Sequence, residues 1–200
     1  MKNIALLFTV IGVVFMAGCA STKVTRVPVE KMVDLSGEWN DYDATDTAKA
    51  MIADCLGGAW RETFLKDKGK DPTVIVGHVA NKSYEHIDSS VITKSLEREM
   101  LNSGKVVFVA SSDERVDVRA ERQDQQAGLT DPETVKKIGK ERGADYMLIG
   151  NISSVKDQVK GKAVVFYQVN LELIDIETNV KAWMGQKQIK KYVENPKFSM

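Results

Sequence analysis

Two cysteines and two histidines in 200 residues leave little from which to build a disulfide framework, a metal centre or a histidine-based active site. Proline is as scarce, at four residues, so no Pro-rich spacer is present. Twenty-eight basic residues face twenty-eight acidic ones. That balance gives no electrostatic footprint for nucleic acid, and none for adhesion to an anionic lipid surface by charge alone. The one long apolar run, Ile4 to Phe15, is roughly a dozen residues, short of the ~20 a permanent spanning helix needs. Signature motifs are missing too. Lys68-Gly69-Lys70 lacks the loop and the following Ser or Thr of a phosphate cradle, and no dinucleotide fingerprint, His-Glu-x-x-His or Gly-x-Ser-x-Gly occurs. Asp41, Asp43 and Asp46 alternate like a calcium loop but lack its Gly and terminal Glu, so capping and turn roles are expected of them. No catalytic set, metal or cofactor is expected.

What is present begins at the amino terminus. Lys2 precedes the apolar run, and Met16-Ala17-Gly18-Cys19 follows it. A basic start, an apolar stretch and small residues before a cut form a secretory signal, and a Cys in the first mature position makes it a lipoprotein signal. Cleavage between Gly18 and Cys19 would leave Cys19 carrying a diacylglycerol and its new amino group a further acyl chain (palmitate). At about 0.8 kcal/mol per buried CH₂, three chains anchor durably where one does not. Ala20, rather than an Asp that retains lipoproteins at the inner membrane, follows the anchor. The expectation is an outer-membrane lipoprotein facing the periplasm.

Four segments follow: the signal over 1–18, an anchor and tether over 19–33, one α/β domain over 34–192 and a tail over 193–200. The roughly fourteen tether residues, fully extended, reach about 50 Å. In the domain, Asp43 or Thr45 caps a helix from about Thr47 to Phe64, which Gly57-Gly58 either breaks or opens to a close neighbour. Pro72 opens a buried strand over Thr73–Val79, in which His78 reads as a hydrogen-bonded structural residue. Asp88 caps a second helix to Asn102, with Gly104 just beyond it. Val106–Ala110 is a second buried strand. Ser111 and Glu114 form a capping box for a third helix to about Gln126, and Asp131-Pro132-Glu133 starts a fourth that Gly143 closes. Tyr146–Ile152 is a strand. Val164–Ile176 and Val180–Ile189 form a hairpin through Glu177-Thr178-Asn179. The fold class is therefore α/β, a mixed five-stranded sheet covered by helices in the order α-β-α-β-α-α-β-β-β. Cys55, among Met51, Ile52 and Ala59 at helical spacing, reads as a small buried apolar residue.

Two surfaces are candidates for contact. Arg115, Arg119 and Arg122 recur at i, i+4, i+7 on the third helix, a basic stripe that is either a solvated face or a partner surface for carboxylate or phosphate. Lys187, Lys190, Lys191, Tyr192 and Lys197 mark the last strand, where lysines guard an edge against pairing.

Leu101-Asn102-Ser103-Gly104-Lys105-Val106-Val107-Phe108-Val109 and Lys137-Ile138-Gly139-Lys140-Glu141-Arg142-Gly143-Ala144-Asp145-Tyr146-Met147-Leu148 resemble the corresponding helix–strand stretches of the LpoB family, lipoprotein activators of penicillin-binding proteins. The resemblance runs from about Leu35 to Tyr192 and includes the lipidated Cys19. It implies a fold similar to the N-terminal domain of TolB and a non-enzymatic role. The implied partner is a periplasmic peptidoglycan synthase, a class A penicillin-binding protein, whose glycosyltransferase and transpeptidase rates the protein raises in cell-wall synthesis and cell-shape maintenance. Curli-secretion lipoproteins of the CsgG type share much the same core. The alternative is thus a self-associating structural or assembly lipoprotein of an outer-membrane secretion or envelope complex. The tether departs from the family pattern, because LpoB proteins cross the periplasm on a long Pro-rich segment.

Overall fold

The computed structural model describes residues 24–194, so the signal, Gly18, Cys19 and Lys197 lie outside the described residues. The chain divides into a unit through Lys31 and a unit from Met32 onward. Of the first, residues 24–31 hold no helix or strand, and the Lys31 N–H donates to the Pro28 carbonyl at 3.1 Å.

The second unit opens with α1, Asp41–Gly57. Asn40, not Asp43 or Thr45, is its N-cap. The Asn40 side chain accepts from the Asp43 N–H and the Asp43 carboxylate accepts from the Asn40 N–H, each at 3.0 Å. A reciprocal box satisfies two otherwise orphaned donors, and the helix starts six residues earlier than its apolar periodicity suggests. The helix ends at Gly57 and α2, Ala59–Lys68, begins one residue later. Gly58 sits at the break because a side chain there would crowd Trp60 and the Cys55 carbonyl. The Trp60 indole N–H donates to that carbonyl at 2.6 Å, fixing the bend. Trp60 and Phe64 then pack edge-on against Tyr146, with ring centroids 5.1 and 5.6 Å apart.

After α2 come β1 (Thr73–Lys82), α3 (Ser89–Asn102), β2 (Val107–Phe108), α4 (Ser112–Gln125) and three fourteen-residue strands: β3 (Tyr146–Val159), β4 (Lys162–Asp175) and β5 (Lys181–Glu194). The sheet order is β2-β1-β3-β4-β5. The β1 strand runs parallel to β2 and β3, and β3–β4–β5 form an antiparallel meander. The mixed five-stranded sheet with helices is as read from the sequence. Helix α1 covers β4 and β5, and α3 covers β1 and β2. Between helices and sheet lies the core, where Ala48, Cys55, Ile92, Leu96, Met100, Leu148, Leu171 and Leu173 are almost wholly excluded from solvent. Burial pushes the Cys55 thiol up to about 12, with Asp54 adding to the effect, so it packs as an inert apolar group.

Three expectations are corrected. Residues 131–143 contain turns rather than a fourth helix in this stretch. One hydrogen-bonded turn forms where Thr134 and Val135 donate to the Asp131 carbonyl, but Gly139 adopts φ +75° and Ile138 is exposed. An amphipathic helix needs a face to bury, and this segment has none. The strand at Val106–Ala110 shrinks to two half-buried residues at the sheet edge, with only Val106 buried. His78 is exposed, because a register shift between Val76 and Val79 turns it out of the buried row.

On β3, β4 and β5 the face turned away from α1 and α3 is open and uncharged at its centre. Val169 and Leu171 point into the core, so the alternating Gln168 and Asn170 lie on the other side. Register sets Asn151, Asn170 and Gln186 on one rung and Ser153, Gln168 and Gln188 on the next. The side chains form a continuous chain of hydrogen bonds. Gln168 and Gln186 both donate to Asn170 Oδ1 at 3.1 Å, and Gln188 donates to Gln186 at 2.7 Å.

Helix α4 has no buried residue, although its Ser111–Glu114 capping box forms as expected. Ion pairs hold it instead. Lys94 of α3 reaches Glu114 at 2.6 Å and Glu97 at 2.7 Å. Glu141, from the turn region, accepts two bonds from Arg119 at 3.0 and 2.7 Å and one from Arg122 at 2.9 Å. Hydrogen bonds from Lys94 hold the Glu114 carboxyl down to about 2, and those from Arg119 and Arg122 do the same for Glu141.

The β5 lysines do more than guard an edge. Lys187 pairs with Asp46 of α1 at 3.0 Å, and the Trp183 indole donates to Asp54 at 3.0 Å. Lys191 is buried. Its ammonium donates to Asp34 and Asp43 at 2.6 Å each and to the Glu38 carbonyl at 2.9 Å. Burial alone would pull this lysine down, but the hydrogen bonds it donates to Asp34 and Asp43 outweigh it and raise its pKa. The raised value keeps the ammonium charged throughout the physiological range.

Two outcomes follow from these ties. Lys191→Met strands the Asp43 carboxylate in the core without a cation, and urea denaturation should show a loss of about 3 kcal/mol, with Lys190→Met near neutral. The carboxyls of Glu114 and Glu141 sit below their unfolded value near 4.5, so their support is complete above that value and fades as pH falls toward about 2. Hydrogen exchange should therefore show α4 amides opening between pH 4.5 and 2, or in about 1 M salt, while the α1 and α3 amides stay protected.

Candidate functional site

The residues joining tether to domain, 34–40, are strapped across three elements. Asp34 and the Glu38 carbonyl bind Lys191 of β5, and the Asn40 amide donates to Asp34 at 2.7 Å. The Tyr167 hydroxyl, from β4, donates to Glu85 Oε1, with the Gly37 carbonyl at 3.3 Å as a second acceptor in reach. Glu85 Oε2 accepts from the Trp39 N–H at 3.1 Å. Gly37 sits buried at φ +77° beneath Val193, where a Cβ would collide with the valine methyl. Only glycine lets the chain turn there at no cost.

Glu85 belongs to the loop between β1 and α3, which is itself ordered by side chains. Asn81 donates to the Glu85 carbonyl at 2.8 Å and accepts from the Ser83 N–H at 2.9 Å. Trp39 packs edge-on against Tyr167 with ring centroids 5.6 Å apart. Desolvation, then the Glu85 carboxylate, holds the Tyr167 hydroxyl far above the tyrosine range. Desolvation and Glu85 also push Tyr84 up to about 12. Both phenols are thus neutral donors at any physiological pH, suited to holding a carboxylate and unsuited to proton transfer. Sequence reading missed this cluster, since its members come from four separate stretches. The one local sign was the dense run of turn and capping types over Asn81-Lys82-Ser83-Tyr84-Glu85 and Asp88.

Beside the strap lies an open groove of about 600 Å³, floored by Trp39, Ile87 and Val91 and flanked by Tyr84. Between the start of α3 and the start of α4 lies a second of about 640 Å³, which Arg115 lines. The structure brings together two of the three stripe arginines, Arg119 and Arg122, on Glu141. Arg115 is turned away toward the Ala110 carbonyl, which its Nη1 approaches at 3.4 Å, and its Nε is buried without a hydrogen-bond partner among the described residues. Asp43 and Asp46, read as turn and capping residues, serve as the acidic halves of the β5 ion pairs, and Asp43 also closes the α1 cap. Among the described residues no group of three His, Cys, Asp or Glu is placed to hold a metal, and no helix is long and apolar enough to cross a membrane.

Comparison with known proteins places this geometry. The chain is similar to the solved C-terminal domain of LpoB from Salmonella enterica, at 17% identity and a TM-score of 0.45, covering 75% of this chain and 100% of that one. The Escherichia coli LpoB C-terminal domain gives 16% and 0.45 over the same shares. Lipoprotein GNA1162 from Neisseria meningitidis gives 15% and 0.38, covering 60% and 83%. No curated protein sequence matches the chain. The model of one family, described as the peptidoglycan-synthase activator LpoB, matches residues 43–189, from the α1 cap through most of β5. With well over half of its length matched, this chain belongs to the LpoB family of peptidoglycan-synthase activators.

Proposed function

We propose that this protein is a non-enzymatic lipoprotein, anchored through Cys19 in the outer membrane, that docks on a class A penicillin-binding protein and raises its rate of glycan polymerisation and crosslinking. The family match over residues 43–189 carries this reading. Three further features support it. The strap at 34–40 is locked to three elements, so a membrane tether would transmit position to the folded domain rather than slack. The ordered phenols of Tyr84 and Tyr167 stay neutral donors, as suits a recognition surface. The layout of Gly18-Cys19 supplies the anchor. With a tether reaching only about 50 Å, the synthase's own periplasmic portion has to rise toward the outer membrane to be met.

Full chain reconstituted in micelles should bind one of the host's class A synthases and speed polymerisation of its lipid-linked substrate several-fold. Absence of both binding and stimulation across every such synthase of the host would overturn the reading. Cys19→Ser should move the protein from the membrane fraction to the periplasmic extract, and its retention in membranes would remove the anchor from the proposal.

A further inference from the structure

The groove beside the strap has a composition that selects its occupant. Four carboxylates line it, from Glu38, Asp41, Glu85 and Asp88, and the one basic type among its lining residues is His86. None of the four takes part in an ion pair with Lys or Arg between described residues. The hydrogen bonds their carboxylates accept among the described residues all come from uncharged donors. Glu85 is held by the Trp39 N–H and the Tyr167 hydroxyl, and Asp88 by the Ser90 N–H at 2.9 Å, so both are fixed in position. Glu38 and Asp41 are exposed at the rim. In a chain whose charges balance overall, four carboxylates around one concavity, none ion-paired with Lys or Arg, are a local excess of negative charge.

The floor is apolar. Trp39 and Ile87 pack partly into the core, while Tyr84 and Val91 each leave about half of their surface in solvent, at 51% and 50%. Tyr84 already shows what the ring accepts, for the Lys156 ammonium sits 5.8 Å from its centroid. Aromatic faces attract cations most strongly once the pair is partly desolvated. An anionic or neutral occupant would face the four carboxylates unpaired. Another apolar surface would cover those carboxylates without giving them partners.

From this juxtaposition of unpaired carboxylates with an apolar floor between the strap and α3, we infer that the groove takes a basic peptide segment, alternating Arg or Lys with aliphatic residues, from a protein partner. The aliphatic side chains lie on Ile87 and Val91, and the cationic heads reach the rim carboxylates and the faces of Trp39 and Tyr84. The segment enters within reach of the strap, so binding and anchoring converge on one end of the domain. This inference rests on the docking-module reading above, and names the chemistry of what docks.

The test uses the full chain in micelles and a fluorescein-labelled Arg-Leu-Lys-Leu-Arg peptide followed by anisotropy, with Glu-Leu-Glu-Leu-Glu as the control. Saturable binding of the basic peptide alone, weakening as salt rises, is expected. The double variant Glu38→Gln/Asp41→Asn removes rim charge without touching any hydrogen bond of the cap or strap, and should weaken binding about tenfold. The variant Glu133→Gln/Glu177→Gln, with both changes outside the groove, should leave it unchanged. Equal binding of both peptides, no binding at all, or indifference to the rim variant overturns the inference. So does concentration-dependent self-association that the peptide fails to compete, because the groove then belongs to a second copy. Stimulation of a synthase by a protein that binds no basic peptide discards the groove while leaving the activator reading standing.

Discussion

The ammonium of Lys191 is the point on which the domain closes. It draws together Asp34, just beyond the tether, Asp43, which completes the first helix cap, and β5, the last strand, across a sequence separation of nearly the whole fold. A buried cation with two carboxylates is not a strong net source of stability, because desolvation consumes most of the Coulombic gain. Its value is in specificity. Asp43 is bound twice, once as a capping group and once as a counterion, so the start of α1 and the register of β5 cannot shift independently. Lys187 with Asp46 and Trp183 with Asp54 repeat the pattern further along the same helix and strand. Helix α1 is therefore fastened to the sheet edge by a row of polar ties above its apolar floor.

A second principle governs the far side. Helix α4 has an ideal start signal, yet buries nothing, and its position depends on ion pairs at the surface. Surface pairs of this kind contribute little individually. Domain architecture thus grades from a tightly fastened half, α1–β4–β5 with the strap, to a loosely held one around α4 and the turns of 131–143. The strap and Tyr167 sit in the fastened half, and the acidic groove lies where that half meets the loop between β1 and α3. A module that acts by contact gains from having its contact surface pre-formed, since less ordering is needed on binding.

Much of this was legible in the residues, and the exceptions have physical causes. Strand β4 was recognisable because Val165, Tyr167, Val169, Leu171 and Leu173 alternate cleanly and all prove buried, whereas β3 runs on to Val159, past the expected end at Ile152, through exposed polar residues. Ser111 with Glu114, Asp88 and Gly104 announced helix ends that the structure keeps. The Asn40 box was missed because its first turn carries acids rather than apolar residues, so periodicity pointed further in. The helix expected after Asp131 had a good start signal but no apolar stripe to bury. Lys191 reads like its neighbour Lys190, and only the topology, bringing residues 34 and 43 beneath β5, tells the buried lysine from the solvated one. The Glu85–Tyr167–Trp39 cluster depends on the same long-range assembly, and local pattern cannot reveal it.

The amide row across the uncovered side of the sheet gives the molecule an asymmetry of response. Asn151, Asn170, Gln186 and Gln188 carry no formal charge and exchange hydrogen bonds among themselves, so dissolved ions have nothing there to shield. The surface around α4 is knitted from ionised groups. A change in the ionic milieu of the surrounding compartment would therefore be felt around α4 and pass unnoticed along the amide row.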